Sequence, residues 1–139
     1  MATLSQLLAR IQQIDIAKEV EDAFNDNAWF AEDRNREQLM MGVGGERLMP
    51  DYSEKSVTKY GKPAGPIKLY ETGAFYKGIT YKAEDGIVKA FSTDEKNDFL
   101  EDMYDYYKPL KLIPENAFDM GNKLKYTMVK NISYKTGLK

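Results

Sequence analysis

The chain has 139 residues, of which 42% are hydrophobic and 30% charged, with a formal net charge of −2. That size and balance suit one soluble domain that buries its own core without staples. It contains neither cysteine nor histidine, which excludes disulfides, thiolate nucleophiles, zinc–thiolate and iron–sulfur sites, serine triads and histidine-ligated metals. No apolar run approaches the ~18 residues of a membrane span, and no basic region followed by an apolar stretch marks a signal peptide.

Thr3 with Gln6 three residues later forms a capping-box pattern. Leu4, Leu7, Leu8, Ile11 and Ile14 then recur at helical spacing, continued by Val20 and Phe24, and predict one helix over Leu4–Phe24. Its apolar face either packs on the core or docks on a partner subunit. Asn25-Asp26-Asn27 breaks the pattern with turn-favouring residues. A second helix is predicted over Ala28–Met41, with Glu32 and Arg36 spaced for an ion pair, ending at Gly42.

Residues 42–66 are rich in glycine and proline and show no period, so they read as a long loop or extended arm. Gly42-Val43-Gly44-Gly45 lacks the strand, the following helix and the lysine of a phosphate loop, and reads as a helix stop and turn. Loops of this length tend to be functional. Lys55, Lys59, Lys62 and Lys68 interleave with Tyr52 and Tyr60, a combination suited to ordering against a neighbouring subunit or to phosphate and base contact. Asp51 and Glu54 dilute its charge, and a merely solvated loop is the third reading.

The segment Pro66–Ser92 organises the rest. Thr72 is placed to cap a single helical turn through Tyr76, and Gly78 releases the chain into the alternating run Ile79–Ala83. Asp85-Gly86 supplies the positive-φ pair of a tight hairpin, and Ile87–Ser92 returns. The predicted class is therefore α+β: an antiparallel hairpin packed against N-terminal and C-terminal helices, in a single domain. Its parts are a helical portion (1–41), the arm (42–66), the short turn and hairpin (67–93) and the C-terminal helices (94–139).

Leu69-x-x-Thr72-Gly73-x-Phe75-x-x-Gly78-Ile79 resembles a signature of phage neck, head–tail connector and tail-completion proteins, especially forms from phages of Bacteroides-type gut bacteria. The likeness extends to Arg36-Glu37-Gln38-Leu39, Gly42 and Tyr52 upstream and to Phe91–Lys96 downstream, about a third to a half of the chain. One departure is Gly78, where the family usually has serine. The resemblance implies a virion structural protein in a homo-oligomeric ring, touching other neck, portal or tail proteins. It implies a site in the virion neck after assembly in the host cytoplasm, and at most non-specific contact with packaged DNA. On this reading Tyr52, Lys55, Lys59, Tyr60, Thr72, Gly73, Phe75 and Tyr76 are candidate subunit-interface residues. No catalytic, cofactor or metal residues and no membrane partner are expected.

After the hairpin, Ser92 or Thr93 is expected to cap a helix whose first turn carries Asp94 and Glu95. Phe99, Leu100, Met103 and Tyr107 mark its buried stripe, and Pro109 follows its end. Leu110–Ile113 reads as an edge strand or a link. Pro114 opens a last helix carrying Ala117, Phe118, Gly121, Leu124, Met128 and Ile132, with Gly121 read as a close-packing position and a frayed tail beyond Ile132.

Charge is segregated: Glu84–Asp105 holds eight acids against two lysines, and Tyr106–Lys139 seven lysines against two acids. These are either solvated helix faces or an acidic face that meets a basic one on a neighbour. Asp94, Asp98, Glu101 and Asp105 are the remaining option for a magnesium-dependent site, but a solvent-screened face is poorly suited to acid–base work. The same acidic helix, Asp94–Asp105, gives the runner-up function: a monomeric or dimeric phage adaptor that binds and inhibits a host protein. Ten tyrosines, three of them at Tyr104, Tyr106 and Tyr107, suit interfaces better than catalysis.

Overall fold

The computed structural model describes residues 3–137. Its elements are α1 (Leu4–Gln12), α2 (Ile16–Asp26), α3 (Ala28–Met40), α4 (Glu54–Tyr60), α5 (Ala74–Gly78), β1 (Ile79–Glu84), β2 (Ile87–Ser92), α6 (Asn97–Met103), a 3-10 turn (Asp105–Tyr107) and α7 (Pro114–Thr136). The class is α+β, with a two-stranded antiparallel sheet packed against helices from both ends of the chain.

The hairpin forms where the alternation and turn chemistry place it. Asp85 and Gly86 have φ of 52° and 76°, the positive pair that matches strand twist. The register runs from Ile79 opposite Ser92 to Glu84 opposite Ile87. Ile79, Tyr81 and Ala83 are buried while Lys82 and Glu84 face solvent, as a half-buried strand requires. These buried residues join Phe24, Leu39, Ile67, Leu69, Phe75 and Met120 in one core.

The outer edge of β1 has side chains in place of a third strand. Asn25 donates to the Ala83 carbonyl (3.0 Å) and accepts the Ala83 N–H (2.8 Å), and Glu32 accepts the Tyr81 N–H at 2.9 Å. Arg36 donates to the carbonyls of Tyr76 (2.8 Å) and Ile79 (3.3 Å). An unpaired strand edge is a liability that proteins cover, and here α2 and α3 cover it. This is also why the expected Glu32–Arg36 ion pair does not form: both side chains reach for backbone, and Arg36 pairs with Asp33 at 2.8 Å.

Several expectations are corrected. The single helix over Leu4–Phe24 is two, because Asp15 takes an extended backbone and its carboxylate accepts the Lys18 N–H, starting α2 afresh. The Thr3–Gln6 capping box does form. α3 ends at Met40, followed by Gly42 at φ 73°.

The arm over 42–66 is not extended. Ser53 caps α4 by accepting the Ser56 N–H, and bridges join Val43 to Leu48 and Asp51 to Pro66. Gly44 and Gly45 lie so close to residues 107–111 that an added Cβ would sit 2.2 Å from the Tyr107 carbonyl oxygen and 2.4 Å from Lys111 Cβ. Without side chains there, the backbone docks directly, and Met49 and Ile67 enter the core. The segment is bound to its own body.

At the C-terminal side, α6 starts later than expected. Ser92 belongs to the end of the strand, its N–H bonded to Asn97 Oδ1 at 2.7 Å and its hydroxyl donating to the Phe75 carbonyl at 2.7 Å. Phe99 and Met103 face solvent, and only Leu100 and Tyr107 of the expected stripe pack on the core. Leu110–Ile113 is a link with Leu110 buried. Pro114 opens α7 as expected, but the helix continues past Ile132 to Thr136, held by the Lys135–Glu19 ion pair and a buried Thr136. Leu138 and Lys139, part of the expected tail, lie outside the described residues. Gly121 has nothing within 4 Å of an added Cβ, so close packing does not explain it.

Candidate interaction surface

The eight residues singled out from the sequence differ in exposure. Gly73, Phe75 and Tyr76 are buried in the protomer, so a subunit contact is not open to them. Gly73, at φ 85°, is the residue preceding α5, and Thr72 Oγ1 accepts the Ala74 N–H at 3.3 Å. Tyr76 donates its hydroxyl to the Lys68 carbonyl, and burial pushes its phenol well above the ordinary range. Tyr52 is half-buried against the core. Lys55, Lys59 and Tyr60 are exposed together on α4, and Thr72 is exposed apart from that helix, ahead of α5.

A glycine at position 78 has a steric cause. A Cβ there would lie 2.6 Å from both Ser92 Oγ and Thr93 Oγ1, so the end of β2 already fills the space a serine would need. Leu69, first residue of the signature, is buried with φ 56°. The signature residues thus form the junction where the chain turns into the sheet.

Beside that junction, Glu71 is paired with Lys96 (3.0 Å) and Lys62 (3.5 Å). Its carboxyl is held below the usual range, first by the Lys96 hydrogen bond and then by the Lys62 charge. The acidic residues do not converge. α6 covers only Asn97–Met103, so Asp94 and Asp105 fall outside the helix expected to align them. Among the described residues no three carboxylates are grouped as metal ligands.

Part of the apolar surface was anticipated on the first helix, and part was not. α1 buries none of its residues, and Leu4, Leu8 and Ile11 are 74%, 50% and 46% exposed. Of the predicted stripe, Phe24 packs in the core and Leu7 and Ile14 are half-buried, so core packing does not account for Leu4, Leu8 and Ile11. Ile16 of α2, Trp29 of α3, and Phe118 and Val129 of α7 are also exposed. Isolated exposed apolar residues are ordinary, whereas contiguous ones mark contact sites.

A groove of about 720 Å³ opens between α2, the sheet, the 105–112 segment and α7. Phe24, Tyr81, Val88, Leu110 and Leu124 give it apolar walls, with Glu101, Asp105, Lys108 and Lys111 also lining it. Tyr81, whose hydroxyl donates to the Leu110 carbonyl, fixes the strand to the segment that forms one wall. No single stretch of sequence announces this groove, because its lining comes from residues about a hundred positions apart.

Compared with protein-family models, with curated proteins and with solved structures, the chain matches none.

Proposed function

We propose that this protein is a phage virion structural subunit, a neck or tail-completion-like component of a head–tail connector ring. It acts through contacts with copies of itself and with other neck, portal or tail proteins, and has no turnover. The observation that carries this reading is the row of large apolar side chains on α1, Leu4, Leu8 and Ile11, which the protomer leaves largely exposed. A nine-residue helix with such a stripe is marginal alone in water, so its natural use is to be covered by another chain. The signature residues Leu69 to Ile79, which resemble the neck-protein pattern, also sit at the junction that orients the sheet.

In a closed ring each subunit presents two different surfaces to its two neighbours. The role is then geometric: a rigid hairpin-and-helix body sets the rotation between subunits, and apolar contacts supply the association. Contact with DNA is at most non-specific, since the exposed lysines of α4 are few and Lys62 is already paired with Glu71. Immunogold labelling of purified particles tests the proposal. Gold at the head–tail junction is expected; particles that lack both label and the chain's peptides by mass spectrometry would overturn it.

A second reading has one observation in its favour. Phe99 and Met103 stand exposed beside Asp98 and Asp102 on α6, an acidic–apolar face that suits an adaptor binding a host protein. A host protein captured by the chain but not by a Phe99→Ala/Met103→Ala variant would favour this reading over the virion one.

A further inference from the structure

The apolar stripe of α1 and the apolar groove match each other, yet one protomer does not bring them together. α1 rests on the C-terminal end of α7, where Arg10 donates to the Thr136 carbonyl at 3.5 Å. The groove lies by the other half of α7, at Ala117, Met120 and Leu124. From Met120 to Thr136 the helix rises about 24 Å, well beyond the ~14 Å length of α1. Leu4, Leu8 and Ile11 fall at i, i+4 and i+7, the spacing by which a helix lays its face into a groove.

Charge matches as well. Arg10 is the one charged residue in α1, and among the described residues it has no carboxylate partner. At the groove, Asp105 is paired with Lys108 and Lys111 with Glu46, both at 2.8 Å. Glu101 is left with only a hydrogen bond from Asn97 and, among the described residues, no cation. The donor helix brings one positive charge to a groove with one unpaired negative charge.

We propose that α1 of one copy seats in the groove of the next, with Leu4, Leu8 and Ile11 inserted and Arg10 paired with Glu101. The two surfaces differ, so the contact is heterologous and repeats around a ring or along a filament. It rests on the neck-ring reading for closure, and it names the element by which neighbouring subunits hold one another. The three-residue connection Gln13–Asp15 lets α1 adjust its angle to the neighbour without disturbing α2.

Because the chain has no cysteine, paired cysteines report the contact directly. The full-length variant Leu8→Cys/Val88→Cys, treated with a short bis-maleimide, is expected to give a ladder of dimer, trimer and higher species. Either single variant should stop at dimer or below. Both positions are exposed, and an unchanged circular-dichroism melt verifies the fold. In the double-cysteine background Arg10→Glu should cut the ladder about tenfold, and adding Glu101→Arg should restore it. No ladder, or one that Arg10→Glu leaves untouched, overturns the docking. Absence of the ladder with gold at the neck removes this contact and leaves the ring; a ladder with unlabelled particles keeps the contact and removes the virion role.

Discussion

Asn25 and Ala83 exchange two hydrogen bonds, the Asn25 amide acting toward β1 as a neighbouring strand would. One side chain on α2 thus satisfies both backbone groups of a residue on an otherwise open strand edge. Replacing Asn25 by Ala removes both partners at once. We expect a loss of about 1–3 kcal/mol, read as a lower urea midpoint with an unchanged m-value. An unchanged midpoint would mean that water replaces the amide at no cost.

Gly78 is set by the space that the end of β2 leaves. Gly78→Ser should destabilise the fold by about 1–3 kcal/mol, because the new Cβ meets the Ser92 and Thr93 hydroxyls. Adding Thr93→Ala should recover part of that loss. Thermal melts of the two variants and the parent check this, and a fully stable Gly78→Ser chain would contradict it.

The pairing of Glu71 with Lys96 and Lys62 predicts a pH dependence of definite sign. The folded state holds the Glu71 carboxyl below its ordinary range, so its contribution is present above the unfolded value of about 4.3 and fades as pH falls through the folded one. Glu71→Gln should therefore melt below the parent at neutral pH, with the difference closing in acid. Lys96 is raised by the same pair, and its contribution should last until the pH climbs past the lysine range. Melting curves across pH for parent and variant test both limbs.

Tyr81 is buried, its hydroxyl spent on the Leu110 carbonyl, and burial holds its phenol far above the ordinary range. The raised value means stability that is intact below about 10 and declines as the unfolded chain ionises above it. Tyr81→Phe should cost about 1–3 kcal/mol at neutral pH by stranding the Leu110 carbonyl, and should flatten the alkaline decline. Denaturant titrations at neutral and alkaline pH measure both effects.

The hairpin was legible because its determinants are local: alternation over six residues, and a turn that needs positive φ at Asp85 and Gly86. Pro114 and the Thr3–Gln6 box were legible for the same reason. The 42–66 segment was not, since what folds it down is the fit of Gly44 and Gly45 against residues 107–111, a long-range contact with no periodic signature. Phe75 and Tyr76, expected at a subunit interface, lie in the core instead, because a short motif does not reveal which way its aromatic residues face. The α1 stripe was visible, but periodicity alone does not distinguish a face covered by its own core from one covered by a neighbour; only the absence of buried residues on α1 does. The groove was invisible because five separate segments build it.

Sedimentation velocity of the full-length chain over a wide concentration range tests most directly whether this protein works by meeting copies of itself. The monomer is expected to give way with concentration to a larger species of fixed size, and Leu8→Glu on α1 is expected to remove that species without altering the fold. A monomer at every concentration, indifferent to Leu8→Glu, would contradict it.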